Sequence, residues 1–142
     1  MKKLCSLFLA IVCLTVVTGC GSSKNEITCT MTEDGQKVVA TVRTDKDDKI
    51  TNVKMSTSME APSKEELELA YGLLNVSVGA MNSANGVKAS VSKKNLTLTM
   101  TIQVDLTKIS DEDLDKLDFD FSNTATGTEF KKNAIESGAT CK

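Results

Sequence analysis

Several residue types that carry out catalysis or bind ligands are missing or rare in this chain of 142 residues. It has no histidine, which excludes Ser-His-Asp and Cys-His triads and zinc sites that use imidazole. Without tryptophan and with Tyr71 as its one tyrosine, it offers no aromatic platform for sugars or bases. Lys88 and Ser90 would share a strand face as a Ser-Lys dyad, but nothing distinguishes Ser90 from other serines. We therefore expect no enzyme, no catalytic residues and no cofactor.

One acidic run has partial calcium-loop spacing. Asp111, Asp113 and Asp115 match the first three ligand positions of an EF-hand loop. Lys116 stands where that loop requires glycine, and Ser122 where it requires a bidentate glutamate. Acidic residues in the first turn of a helix also interact favourably with the helix dipole. We interpret the run as the start of a helix, with calcium binding as the alternative, and expect no metal site.

The N-terminal residues have the order of an export signal. Two lysines precede an uncharged apolar run over residues 4–17, shorter than the about 20 residues that span a membrane. The following segment, Val17-Thr18-Gly19-Cys20, is similar to the bacterial lipobox, whose cysteine receives a diacylglyceryl group and becomes the mature N-terminus. We predict a signal peptide over residues 1–19 and lipidation of Cys20. The alternative is an ordinary secreted protein in which this cysteine is incidental.

Lipidation would hold the protein on the extracytoplasmic side of the cell membrane. Two acyl chains, here including palmitate, give stable attachment at about 0.8 kcal/mol per buried methylene. The small polar residues 20–25 suit a flexible tether, and residues 26–142 suit a single domain. Removing the signal changes the formal net charge from −2 to −4, because Lys2 and Lys3 are lost. An acidic domain without a basic run is a poor candidate for binding nucleic acid.

Two cysteines remain in the predicted domain, Cys29 and Cys141. An exported compartment permits disulfides, and an even pair fits one bridge. Closing a loop of more than 100 residues would stabilise the fold by about 4–5 kcal/mol in the chain-entropy model. Neither cysteine lies in a CxxC motif, which makes a redox or metal role weak. We predict the bridge, and two unpaired buried thiols are the alternative.

Alternation of apolar and polar residues with period two predicts five strands. They lie over residues 27–32, 38–44, 50–59, 87–92 and 96–106. Asp34-Gly35 predicts a hairpin turn between the first two. The C-terminal tail could lie beside the first strand and bring Cys141 to Cys29. The predicted class is α+β, an antiparallel sheet of about five strands with one long and one or two short C-terminal helices on one face.

Pro62 and a capping box formed by Ser63 and Glu66 predict the long helix over residues 64–81. A first apolar stripe, at the spacing that packs a helix on a sheet, comprises Leu67, Ala70, Tyr71, Leu74, Val78 and Met81. A second stripe on nearly the opposite side comprises Leu69, Leu73, Val76 and Ala80. We interpret the second stripe as covered by the C-terminal segments, and a ligand or partner surface is the alternative. Short helices are predicted over residues 111–118 and from Thr126 or Thr128 to Ile135.

Strand threonines would form an array of hydroxyls on one face of the sheet. They are Thr28, Thr30, Thr97, Thr99 and Thr101. Threonine is also a good strand former, and rows of hydroxyls give no anchor for affinity. We favour the structural interpretation over a binding surface.

The whole pattern resembles the YehR-like family of small bacterial lipoproteins. The resemblance is carried by Cys20, by the strand Thr28-Cys29-Thr30 followed by Asp34-Gly35, and by the closing Thr140-Cys141-Lys142. It covers essentially the entire mature chain. It implies a compact α+β domain on an antiparallel sheet, held at the cell envelope, and it brings no established activity and no catalytic residues.

Anchor and composition together predict a non-enzymatic binding or accessory module on the membrane. In one version it captures a small or peptide-like ligand between the sheet and the helix over residues 64–81. In the other, an envelope protein docks on Leu69, Leu73 and Val76. The predicted partners are the membrane, through a diacylglyceryl anchor, and an envelope protein or a small ligand.

Overall fold

A computed structural model describes residues 25–116 and 126–142. The predicted signal peptide over residues 1–19, Cys20 and residues 21–24 of the tether lie outside the described residues. Within them the chain forms a six-stranded antiparallel sheet with helices packed on it, which confirms the predicted α+β class. The sixth strand is the C-terminal tail, which raises the predicted number of strands by one.

The strands are β1 (Glu26–Glu33), β2 (Gln36–Thr44), β3 (Ile50–Glu60), β4 (Val87–Lys94), β5 (Thr97–Asp105) and β6 (Thr140–Cys141). The helices are α1 (Lys64–Met81), α2 (Asp111–Lys116) and α3 (Gly127–Glu136). Strand order in the sheet is β4-β5-β3-β2-β1-β6. The predicted end of α2 at residue 118 lies outside the described residues.

Turn residues fix the register of the hairpins. Asp34 and Gly35 both have positive φ, 48° and 77°, as the tight turn between two antiparallel strands requires. The β4–β5 turn likewise contains Asn95 at φ 56°. These turns set Cys29 opposite Ala40 and Val91 opposite Met100, so that apolar residues of neighbouring strands share one face.

The core lies on that apolar face, near one end of the strands. Val42, Ile50 and Val53 are buried there, and the partly buried side chains packed against them are Ile27, Leu106 and Phe130. Phe130 comes from α3, which contacts β1, β2 and β6. Helix α1 packs instead on β4 and β5. The two helices therefore cover opposite lateral halves of the sheet.

Hydroxyls dominate the opposite face, and several of them bond to each other across strands. Thr28 pairs with Thr41 at 3.0 Å between their hydroxyl oxygens. The hydroxyls of Ser56 and Thr101 are 3.1 Å apart, and those of Ser58 and Thr99 are 2.9 Å apart. Cross-strand pairs of this kind stabilise a sheet, which favours the structural interpretation of the threonines.

Candidate docking surface on helix α1

Helix α1 is capped by a side chain at its start and by a backbone N–H at its end. The Ser63 hydroxyl accepts a hydrogen bond from the Glu66 backbone N–H at 3.2 Å, which is the Ser63 half of the predicted capping box. At the other end the Asn82 N–H donates to the Val78 carbonyl at 3.0 Å. These caps satisfy backbone groups that would otherwise lack partners, so the helix has defined limits.

The first stripe of α1 faces the sheet, as predicted. Leu67 and Val78, 11 residues apart, are buried, while Tyr71 and Leu74 between them are partly buried. Burying a side chain the size of leucine contributes about 1.5–3 kcal/mol relative to leaving it exposed. This stripe therefore attaches the helix to β4 and β5 along most of its length.

Polar contacts fix α1 laterally on the edge strand β4. The Asn82 side chain donates to the Ala89 carbonyl at 2.9 Å and accepts from the Ala89 N–H at 2.7 Å. The Lys93 ammonium pairs with the Glu68 carboxylate and lies 4.5 Å from the centre of the Tyr71 ring. Contacts at both ends of α1 therefore limit its rotation on the sheet.

The second stripe of α1 is exposed. Leu69, Leu73 and Val76 retain 67%, 65% and 76% of their accessible surface, and Ala80 is also exposed. The interpretation that C-terminal segments cover this stripe is wrong. The reason is topological, because α3 packs on β1, β2 and β6, in the other lateral half of the sheet from α1. The structure thus leaves a row of three large apolar side chains in water.

Charge is absent from the part of α1 that carries the second stripe. Residues 69–81 include no Asp, Glu, Lys or Arg, whereas the first five helical residues include four charged ones. Two glycines, Gly72 and Gly79, lie beside the stripe, and a Cβ added at either position would meet nothing within 4 Å. Glycine costs about 1 kcal/mol relative to alanine inside a helix. Packing among residues 25–116 and 126–142 does not account for these two glycines.

The acidic run forms the short helix α2 with local partners. The Ser110 hydroxyl accepts from the Asp113 N–H at 3.2 Å and donates to its carboxylate at 2.9 Å. The hydrogen bond from Lys116 to Glu112, with Asp113 close by, raises the pKa of the Lys116 ammonium. Among residues 25–116 and 126–142, no three Cys, Asp or Glu side chains converge on a point that could hold a metal ion.

Cys29 and Cys141 are joined by a disulfide between β1 and β6. The two residues are directly opposite each other in the ladder, and the N–H and C=O groups of Thr28 and Lys142 bond reciprocally beside them. Cys29 and Cys141 are the two cysteines of residues 25–116 and 126–142, so this part of the chain contains no free thiol. The tail therefore lies beside β1 and brings Cys141 to Cys29, as predicted from the sequence.

Asp48 clamps the start of α3, a contact that the sequence analysis missed. Its carboxylate accepts from the Thr128 N–H at 3.0 Å and from the Thr128 hydroxyl at 2.7 Å. These hydrogen bonds from Thr128 lower the pKa of Asp48. Thr126 is the N-cap, accepting from the Glu129 N–H at 3.2 Å, which decides between the two predicted starts. Asp48 and Thr128 are 80 positions apart in the sequence, so no local sequence pattern could predict their contact.

A shallow depression of about 180 Å³ lies at the β1–β2 hairpin. Its lining comprises Met31, Glu33, Asp34, Gln36 and Val38. It is smaller than the roughly 300–1,000 Å³ that pockets for small ligands usually have. It also lies away from α1, so it is not the cleft between sheet and helix that the ligand-capture version requires.

Two bacterial lipoproteins are similar to this chain over most of its length. The uncharacterised lipoprotein Lin0239 of Listeria innocua is 31% identical over 121 residues, which cover 82% of this chain and 77% of that protein. The uncharacterised lipoprotein Lmo0207 of Listeria monocytogenes is 27% identical over 140 residues, covering 94% and 90%. No family model matches the sequence.

Two solved structures share the fold. The NMR structure of the Escherichia coli YehR protein has a TM-score of 0.67 over 85% of this chain and 92% of that one, with 14% identity. The NMR structure of a Streptococcus pneumoniae TIGR4 protein has a TM-score of 0.64 over 89% and 90%, with 13% identity. The chain belongs to the YehR-like family of bacterial lipoproteins.

Membership of the YehR-like family implies attachment to a membrane through a lipid anchor. No helix among residues 25–116 and 126–142 is both long and apolar enough to cross a bilayer. Among the described residues, the site with the clearest physical signature is the second stripe of α1, which is exposed on a helix whose other side is fixed to the sheet.

Proposed function

We propose that this lipoprotein is a non-enzymatic docking module on the outer face of the membrane, and that it binds an envelope protein through the second stripe of α1. The observation that carries the proposal is the exposure of Leu69, Leu73 and Val76. Exposed apolar patches on a folded domain mark interaction surfaces when their side chains are contiguous, as these are along one helix face.

The surroundings of the stripe favour a protein partner over a solvated helix. Helical faces that stay in water normally carry charged residues, and this face carries none between residues 69 and 81. Burying each large side chain against a partner would contribute about 1.5–3 kcal/mol before the costs of association. Because α1 is fixed on its inner side by Leu67, Val78 and Asn82, little ordering of the helix is needed on binding.

Cys20 is the proposed attachment point of the lipid. It follows the residues that are similar to a lipobox, and the relatives in Listeria are lipoproteins. The match to the L. monocytogenes protein leaves out about 6% of this chain, roughly nine residues, so Cys20 lies inside the matched stretch wherever those residues fall. Cys20→Ala should release the protein from the membrane fraction, and full retention of that variant would refute lipidation at Cys20.

The docking proposal is tested by the pair Leu73→Glu and Asn75→Glu in the full, membrane-anchored chain. Leu73 lies in the second stripe, whereas the exposed Asn75 lies about 160° further round the helix, outside it. We expect the wild type and Asn75→Glu to sediment as a complex after mild solubilisation, and Leu73→Glu to sediment as the lone chain. Circular dichroism should show both variants folded, because both positions are exposed.

Two results would contradict docking through this surface. The first is a Leu73→Glu protein that folds and still sediments like the wild type. The second is a Leu73→Glu protein that fails to fold, since that would make Leu73 part of the core despite its 65% exposure.

A further inference from the structure

We infer that the Asn82 side chain closes the outer edge of the sheet at β4 and so prevents a further extended chain from pairing with that strand. The inference does not depend on the docking proposal, because it concerns the edge of β4 and not the second stripe of α1. It is carried by two hydrogen bonds of Asn82, by the register of β4 and by the way in which the opposite edge is covered.

Strand β4 is an outer edge of the sheet. It pairs with β5 on one side, and no described strand pairs with it on the other. Residues of such a strand alternate between hydrogen bonds to the neighbouring strand and backbone groups that point away from the sheet. Lys94 and Thr97 flank the two-residue turn between β4 and β5, so their pair is of the hydrogen-bonded type. Counting back along the ladder from Lys94, the outward backbone groups belong to residues 87, 89, 91 and 93.

Asn82 binds the outward groups of Ala89 in the way that a neighbouring strand would. Its side-chain nitrogen donates to the Ala89 carbonyl at 2.9 Å, and its side-chain oxygen accepts from the Ala89 N–H at 2.7 Å. A side-chain amide has N–H donors and a carbonyl acceptor like a peptide group, so this reciprocal pair copies a hydrogen-bonded pair of an antiparallel ladder. A strand that added to β4 at Ala89 would need both of these groups, and Asn82 already holds them.

The loop that joins α1 to β4 extends this closure toward the start of the strand. The Val87 N–H donates to the Ala84 carbonyl of that loop at 3.3 Å. The outward N–H groups of β4 that have no partner among residues 25–116 and 126–142 are those of Val91 and Lys93. If Ala89 were open as well, an added chain could pair over residues 89–93, about the length of a usual strand. Asn82 cuts that run to two outward positions.

Lysines form a second barrier on the same strand. Lys88, Lys93 and Lys94 are exposed, and Lys93 pairs with Glu68 of α1. Lysine on an edge strand is one of the ways in which natural sheets avoid pairing with another chain. Two copies of β4 placed edge to edge would bring these ammonium groups together, and salt screens their repulsion. High salt therefore weakens the barrier of the lysines, whereas the hydrogen bonds of the neutral Asn82 amide stay in place.

The opposite edge of the sheet is covered by a different device. There β6 pairs with Cys29 and Thr30 of β1 and is held by the Cys29–Cys141 disulfide. Unpaired N–H and C=O groups along a sheet edge are a template for association with another chain. One edge of this sheet therefore has a covalently held strand as its cover, and at the other edge the Asn82 amide satisfies outward groups with a single side chain.

Sedimentation of Asn82→Ala at two salt concentrations tests the inference. The protein is the full chain, solubilised from membranes in mild detergent and purified, with the wild type treated in parallel. The two conditions are about 0.01 M and about 1 M salt, between which the screening length falls from about 30 Å to about 3 Å. We expect the wild type to keep the same mass in both conditions. Asn82→Ala should shift in high salt to at least twice the mass of its low-salt form.

Further measurements locate the contact at β4. Ala89→Pro, added to Asn82→Ala, removes the N–H that the first change frees, and proline is tolerated on an edge strand where its nitrogen faces outward. This double variant should keep its low-salt mass, as should Asn75→Ala, which changes an exposed asparagine elsewhere on α1. In the high-salt form of Asn82→Ala, the N–H groups of Ala89, Val91 and Lys93 should exchange their hydrogens slowly, and in its low-salt form they should exchange fast.

Two results would overturn the inference. One is a folded Asn82→Ala protein that keeps its low-salt mass in high salt, since Asn82 would then only position α1 on the sheet. The other is association that leaves the three N–H groups of β4 in fast exchange, since the contact would then lie elsewhere. If circular dichroism shows Asn82→Ala to be unfolded, Asn82→Asp takes its place, because a carboxylate keeps the acceptor for the Ala89 N–H and lacks the donor. The same two results then decide.

Discussion

The two helices that cover the sheet are attached in different ways. Helix α3 sits beside the Cys29–Cys141 disulfide, with its first turn clamped by Asp48 and its Gly127 in close contact with β1 and β2. Within the described residues, helix α1 has no covalent link to the sheet and is held by buried apolar residues and by the Asn82 side chain on β4. The α3 half of the sheet is thus covered by a helix held through a disulfide and hydrogen bonds, while the helix on the α1 half has an exposed apolar face.

This difference separates residues whose contacts stabilise the fold from residues for which we propose a docking role. Around α3, the disulfide and the hydrogen bonds from Asp48 hold the C-terminal part of the chain on the sheet, so their role is to stabilise the fold. Around α1, the first stripe explains the attachment, whereas the second stripe is exposed and Gly72 and Gly79 have open space around them among the described residues. The comparison predicts large stability effects for changes at the α3 side and on the first stripe, and small ones on the second stripe.

Loss of the disulfide should have the largest effect. Cys141→Ser, or reduction of the wild type, removes a bridge that closes 112 residues. The chain-entropy model gives a loss of about 4–5 kcal/mol in the free energy of unfolding. Urea unfolding with and without reductant measures it. An unchanged midpoint would mean that the α3 side does not depend on its covalent link.

Truncation of the two leucines on opposite sides of α1 should give unequal losses. Leu67→Ala empties a site that is 3% exposed, for which large-to-small changes cost about 2–5 kcal/mol. Leu73→Ala changes a side chain that is 65% exposed, and in the isolated domain we expect a change within about 0.5 kcal/mol. Thermal unfolding of both variants measures the contrast, and equal losses would remove the distinction between the two stripes.

A pair of glycine substitutions sharpens the comparison further. At Gly127 an added Cβ would lie 2.6 Å from Thr44 Cγ2 and 2.8 Å from the Asp48 carboxylate, so Gly127→Ala should cost about 1–3 kcal/mol. At Gly72 the added Cβ meets open space, and Gly72→Ala should stabilise the isolated domain by up to about 1 kcal/mol. Unfolding midpoints should therefore move in opposite directions. Movement in the same direction would contradict the account of one position or the other.

The smallest expected effect is the dependence on pH of the Asp48 clamp. Hydrogen bonds from Thr128 lower the pKa of Asp48 in the folded state. The carboxylate therefore stabilises the fold above its ordinary pKa of 3.8, and this contribution is lost as the pH falls below that value toward the folded pKa. Asp48→Asn should show a shallower loss of stability below pH 4 than the wild type. Superimposable pH profiles would show that the clamp carries no such linkage.

Most of the fold follows from local patterns in the sequence. The alternation in β5, the turn Asp34-Gly35 and the cap at Ser63 each act within a few residues, and all three have the predicted conformations. The pairing of β6 with β1 also follows, because the two cysteines limit where the tail can lie. These are the features that short-range physical chemistry decides.

What the sequence could not show depends on the path of the chain. The Asp48 clamp joins residues 80 positions apart, and neither end has a motif. The exposure of the second stripe depends on which lateral half of the sheet α3 covers. The helical periodicity of the sequence does not predict that position. The stripe itself was visible in the sequence, but its exposure became evident once the structure had placed α3 beside β6.

Photo-cross-linking from the second stripe tests the central claim most directly. A photoactivatable residue would replace Leu73 in the membrane-anchored chain, with the same residue at Asn75 as the matched control. The account predicts a discrete protein adduct from position 73 and none above background from position 75. An adduct-free position 73, or equal adducts from both positions, would contradict a docking surface on α1.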